Sequence, residues 1–114
     1  MSLAFEINQR QNLPAMPPLR QMRKQFGQRL RAARQAVGYE TARDFAVALD
    51  IEESALSNYE RGLRRPPNDV LQRIRDRTKV TADYLYFGDI SGLPLGLYAK
   101  LREIPGHDQL EERH

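Results

Sequence analysis

No cysteine occurs among the 114 residues of this chain, which removes disulfides and thiolate metal sites from consideration. A reducing cytoplasm fits that absence, and so do many secreted bacterial proteins. Long apolar runs are missing too: none approaches the ~20 residues that a bilayer-spanning helix requires. The first residues lack a basic region followed by a continuous apolar stretch, so no secretory leader is expected. There is no glycine-rich phosphate loop, no nucleophile motif and no cluster with metal-ligand spacing. The only histidines, His107 and His114, lie near the C-terminal end with no evident partner. Neither catalysis nor a cofactor, metal or small-molecule ligand is expected.

What the chain has is helical periodicity and a divided charge. Its length accommodates one small domain with tails. Such a domain buries only ~60% of the surface its unfolded chain exposes, so its stability should be modest and a second copy would help. Between Arg20 and Asp89 there are 14 Lys and Arg against 10 Asp and Glu, a net of +4. The tails hold 4 basic against 5 acidic residues, a net of −1. The positive excess therefore falls where a phosphate-facing surface would need it, though it is small.

Three parts are expected. Residues 1–20 contain Pro14, Pro17 and Pro18, which oppose a helix and suggest an extended arm. That arm is either a floppy leader or a segment that touches DNA or a partner. Residues 21–89 carry the domain proper. A first helix runs from Leu19 or Arg23 to Ala36, with Met22, Phe26, Leu30, Ala33 and Val37 as its buried stripe and Gly38 as its stop. Arg23, Lys24, Arg29, Arg31 and Arg34 dominate its outer face, where solvation is expected for most of them and a place near phosphates for some. A fourth helix starts near Pro67 or Asn68 with Val70, Leu71 and Ile74 inward. A fifth follows Thr81 and carries Tyr84, Leu85 and Phe87 into the core before Gly88. Residues 90–114 form a tail in which Leu93, Leu97, Leu101 and Ile104 mark an amphipathic helix ending before Pro105. This stripe covers either its own domain or a second subunit. From Gly106 onward the chain is expected to be mobile.

Between the first and fourth helices lies Thr41–Gly62, TARDFAVALDIEESALSNYERG. Phe45, Ala46, Leu49, Ile51, Leu56 and Tyr59 give two short helices one apolar stripe each. Thr41 is placed to cap the first of them, and Asp50 sits at the corner, where Asp tolerates a left-handed backbone. Two helices held by such a corner present the second to a DNA major groove.

The stretches FGQRLRAARQAVG, the corner itself, SNYERGLRRPP and VTADYLYFGD, in this order, resemble the helix-turn-helix family of phage lambda repressor and Cro. The resemblance runs from about Phe26 to Asp89. It implies an all-α fold, a compact five-helix lambda-repressor-like domain, here with an N-terminal arm and a C-terminal amphipathic helix. It implies that Glu53, Ser54, Ser57 and Asn58 read bases, and that Thr41, Arg43, Arg61, Arg64 and Arg65 contact phosphates. Asn pairs with adenine and a carboxylate accepts from the cytosine amino group. The amides at the start of the helix after Thr41 suit a phosphate. Glu60 is expected to be structural, paired with an arginine of the first helix.

Two departures stand out. Ala42 replaces the glutamine usual after the cap, and Glu52 and Glu53 bring carboxylates where the family carries neutral or basic residues. Acidic residues suit a helix start but repel phosphates. The expected function is sequence-specific DNA binding in the cytoplasm, as a transcriptional repressor that pairs into a homodimer on a near-palindromic operator. The competing reading is a helix-turn-helix protein-interaction module, or an antitoxin, with weak affinity for double-stranded DNA.

Overall fold

Helix punctuation in the sequence sets the architecture. A computed structural model describes residues 18–112. Among these residues the fold is all-α, with six helices: α1 Leu19–Ala36, α2 Ala42–Leu49, α3 Glu53–Glu60, α4 Asn68–Thr78, α5 Ala82–Phe87 and α6 Leu95–Arg102. A single 3-10 turn, His107–Leu110, follows. Most of the expected arm, residues 1–17, lies outside the described residues; Leu19 and Arg20 already belong to α1.

The caps form where the residue types predict them. Thr41 Oγ1 accepts from the Asp44 amide at 3.1 Å, and Thr81 Oγ1 from the Tyr84 amide at 3.0 Å. Each such cap contributes about 1 kcal/mol to its helix. Gly38 and Gly88 take positive φ beyond α1 and α5. No described helix is long and apolar enough to cross a membrane.

The core gathers Phe26, Leu30 and Ala33 of α1 with Phe45, Ala46 and Leu49 of α2, Leu56 of α3, Ile74 of α4 and Tyr84 and Leu85 of α5. Phe87 departs from expectation: it is 54% exposed, while its neighbour Tyr86 packs against Phe26 with the rings tilted at 45° and their centroids 4.7 Å apart. Leu93, Leu97 and Leu101 are buried, and α6 packs on α1 of the same chain. Within the single chain the stripe packs on its own domain, with Ile104 half-buried.

Two further expectations are corrected at α1. Arg29 and Arg34 are not on a solvated face; they are 2% and 6% exposed. Residues 106–112, moreover, are bonded to the rest of the domain rather than standing clear of it. Arg29 Nε donates to the Leu110 carbonyl at 2.8 Å and its Nη1 to the Leu85 carbonyl at 3.3 Å. The Glu112 amide donates to the Gly88 carbonyl at 3.1 Å. A Cβ on Gly88 would lie 2.6 Å from the Leu110 carbonyl oxygen, so this close approach needs glycine.

His107, expected to lack partners, is 1% exposed and its Nε2 is 2.6 Å from the Tyr84 hydroxyl. Its Nδ1 lies 3.3 Å from a Glu111 carboxylate oxygen, without the alignment of a hydrogen bond. Burial pushes the His107 pKa down, and Glu111 opposes that shift. Burial also raises the Tyr84 pKa and lowers that of Arg29. Residues 106–112 thus form a strap fastened across α1 and α5 by polar contacts that desolvation makes costly to leave unpaired.

Candidate nucleic-acid interface

The corner between α2 and α3 is built on Asp50, at φ 56° and ψ 50°. The Asp50 amide donates to the Val47 carbonyl at 3.1 Å and the Ile51 amide to the Ala46 carbonyl at 3.0 Å. This paired arrangement closes a helix through a left-handed residue and turns the chain sharply. Among the described residues, only Lys79 is another non-glycine with positive φ.

Beyond the corner, α3 is amphipathic in the expected sense. Leu56 and Tyr59 are buried, whereas Glu52, Glu53 and Ser54 are exposed and Ser57 and Asn58 half-buried. The base-reading candidates therefore share a solvent-accessible side of one short helix, with Glu53 and Ser54 at its start. Glu52 and Glu53 form no ion pair among the described residues. Their carboxylates face water at the helix end where the macrodipole favours negative charge.

Two features press the C-terminal end of α3 against α1. A Cβ on Gly27 would sit 2.2 Å from the Glu60 carbonyl oxygen, so the helices cross backbone to backbone. Glu60 itself is buried and gripped by α1: Arg34 Nε donates to Oε2 at 2.9 Å, and Arg31 Nε to Oε1 at 3.3 Å. Arg34 Nη1 also donates to the carbonyls of Tyr39 and Glu40, at 2.9 and 2.7 Å. One guanidinium thus ties the approach to α2 and the end of α3 to the same helix. The expected role of Glu60 is as described; Gly27 and the bridging role of Arg34 went unread. A glycine inside a helix costs about 1 kcal/mol relative to alanine, and that penalty is itself a sign of close packing.

The loop after α3 carries the expected phosphate-binding arginines. Gly62, at φ 76°, ends the helix; a Cβ there would lie 2.7 Å from the Lys24 backbone. The Leu63 and Arg64 amides both donate to the Asn58 carbonyl, at 2.9 and 3.3 Å, which binds the loop to α3. Arg61, Arg64 and Arg65 are all exposed. Arg65 is partly engaged, its guanidinium lying 5.7 Å from the centroid of the Tyr86 ring. At the start of α2, Thr41 and Arg43 are exposed as well. The arrangement therefore presents a polar helix side with cations on the loop that follows it and at the start of the preceding helix.

Comparison with known proteins agrees with this geometry. Residues 25–85 match the model of a family described as "Helix-turn-helix domain". Two relatives from Bacillus subtilis (strain 168) align over 60 residues, 53% of this chain. The "HTH-type transcriptional regulator ImmR" is 44% identical over 46% of its own length. The "Uncharacterized HTH-type transcriptional regulator YazB" is 42% identical over 86% of its length. The chain thus covers about half of the first relative and most of the second. No solved structure gives a significant match. The family match ends at Leu85, so α6 and the strap lie outside it.

Proposed function

The chain belongs to the helix-turn-helix domain family, and from that premise we propose that it is a sequence-specific DNA-binding transcriptional regulator of the cytoplasm. Its mode is repression: a homodimer occupies a near-palindromic operator, with half-sites ~34 Å apart on one face of the duplex. The observation that carries this reading is the exposed polar side of α3, set by the Asp50 corner and flanked by Arg61, Arg64 and Arg65. In the proposed complex Glu53, Ser54, Ser57 and Asn58 address base edges. Thr41, Arg43 and the three loop arginines hold the phosphates. Leu93, Leu97 and Leu101 of the tail are buried within the domain, which favours pairing through other surface.

Glu52 and Glu53 shape the binding. Unpaired carboxylates approaching phosphates weaken attachment to arbitrary DNA and reward a site that offers cytosine amino groups. The same two residues, with Ala42 in place of a polar side chain, favour a second reading: an interaction module that contacts a protein through this fold.

Selection of bound sequences from random duplexes at near-physiological salt separates the two. Enrichment of a palindrome is the expected outcome. Replacing Arg64 and Arg65 by Ala should then weaken binding to all sequences and reduce the salt slope by ~0.9 per lost phosphate contact. Ser54→Ala or Asn58→Ala should instead change the preferred sequence. If no sequence is enriched, the regulator reading fails and the interaction module takes its place.

A further inference from the structure

We propose that Arg73 of α4 is a positioning residue that fixes the aim of α3 by capping the end of α2 from a different helix. The last carbonyls of an α-helix have no partner within it. At the end of α2 the Ala46 and Val47 carbonyls are taken by the amides of Ile51 and Asp50. Past Ala48, the carbonyls are those of the corner itself. Arg73 Nη1 donates to the Leu49 carbonyl at 3.2 Å and to the Asp50 carbonyl at 3.3 Å. One guanidinium nitrogen therefore spans the left-handed residue, and its charge complements the negative end of the α2 dipole. On the other side, Arg73 Nη2 lies 3.7 Å from an Asp69 carboxylate oxygen, one turn earlier on α4. Arg73 thus lies beside a carboxylate of its own helix while it bonds the neighbouring corner.

The consequence follows from how α3 is fastened. Its C-terminal end is pinned to α1 by the Gly27 crossing and by Glu60. Its N-terminal end carries the exposed Glu53 and Ser54 and is led in by the corner. Asp50 occupies a backbone conformation that is strained for a residue bearing a Cβ. Support from Arg73 offsets the tendency of that corner to open. An eight-residue helix is about 12 Å long, so a swing of about 10° about its pinned end displaces the other end by about 2 Å. Hydrogen-bond readout does not survive an error of that size. The side chain is 43% exposed, so its removal leaves the core untouched. The clamp itself stands apart from the DNA-binding reading; only its effect on base selection rests on that reading.

The test is Arg73→Met in the full chain, which keeps the aliphatic stem and deletes the donors. Without DNA, amide exchange at Asp50 and Ile51 should accelerate roughly tenfold, as loss of about one net hydrogen bond implies, while Leu30 and Ile74 stay protected. Unchanged exchange at Asp50 and Ile51 overturns the clamp, whether or not the protein binds DNA. On duplexes, discrimination should fall roughly tenfold at the bases read by Glu53 and Ser54, less at those read by Asn58, with the salt slope unaltered. A salt slope reduced by ~0.9 with selectivity intact would make Arg73 a phosphate contact and overturn the proposal. Should the unmodified protein select no duplex, the DNA-binding reading fails, and the exchange data still decide the clamp.

Discussion

On the side of the molecule formed by the corner, Glu52, Glu53, Ser54 and Arg64 stand in water. Around α1 the same residue types are treated in the opposite way: Arg29, Arg34, Glu60 and His107 are all more than nine-tenths buried. The buried set joins segments far apart in the chain. Arg34 reaches 26 residues to Glu60, and Arg29 reaches 81 residues to Leu110. Directional contacts of this kind admit few alternative arrangements, whereas apolar packing tolerates many. The difference teaches a division of labour. Buried charge determines how the helices sit, and exposed charge is left free for a partner.

The sharpest way to break that division is at Glu60. Glu60→Ala would leave the Arg34 guanidinium buried without its carboxylate, and breaking such a pair costs about 3–5 kcal/mol. Urea unfolding should register that loss. A change under about 1 kcal/mol, the range of an exposed pair, would erase the distinction between the two regions.

A smaller loss is expected at the strap. Arg29→Met keeps much of the volume but leaves the Leu110 and Leu85 carbonyls without their donor, at about 2 kcal/mol. Amide exchange should rise first at Glu112, whose amide is bonded to Gly88. Uniform exchange across the whole domain would show instead that the strap has no separate stability.

The weakest effect is a pH slope. His107 faces Tyr84, Glu111, Arg29 and Asp108, and burial sets its pKa below the unfolded value of about 6.5. The unfolded chain then binds the proton more readily than the fold does. Stability is therefore full above about pH 6.5, falls as the pH drops through that value, and levels off below the depressed folded pKa. Melting temperatures from pH 8 to pH 5 should show this decline, and His107→Asn should flatten it. A slope that survives the substitution would place the titrating group elsewhere.

Local chemistry was readable in the sequence. Thr41, Thr81, Gly38, Gly62 and Gly88 cap or end helices as their residue types predict, because capping depends on a few neighbouring atoms. The Asp50 corner was readable for the same reason. The long-range polar contacts were harder to see. Arg29 lies three residues after Phe26, and Arg34 four after Leu30, so both flank the apolar stripe. Their charge suggested solvent, and their partners are too distant in sequence to be inferred from spacing. His107 looked unpartnered because Tyr84 lies 23 residues away. The apolar character of Phe87 points inward, but the short α5 has room to bury only Tyr84 and Leu85, and Phe87 remains outside. For the candidate interface, the residue types and their exposure were legible. The support behind them, at Gly27 and Arg34, was not.

Gly27 has a consequence for how this protein could change over generations. The register between α1 and α3 is fixed where main chain meets main chain, at the backbone of Tyr59 and Glu60. Under the proposed function, exchanging Glu53, Ser54 or Asn58 would alter the letters being read while leaving the page where it lies. A few surface replacements on α3 would leave the packing intact, whereas even one added methyl group at Gly27 would force the scaffold itself to be rebuilt.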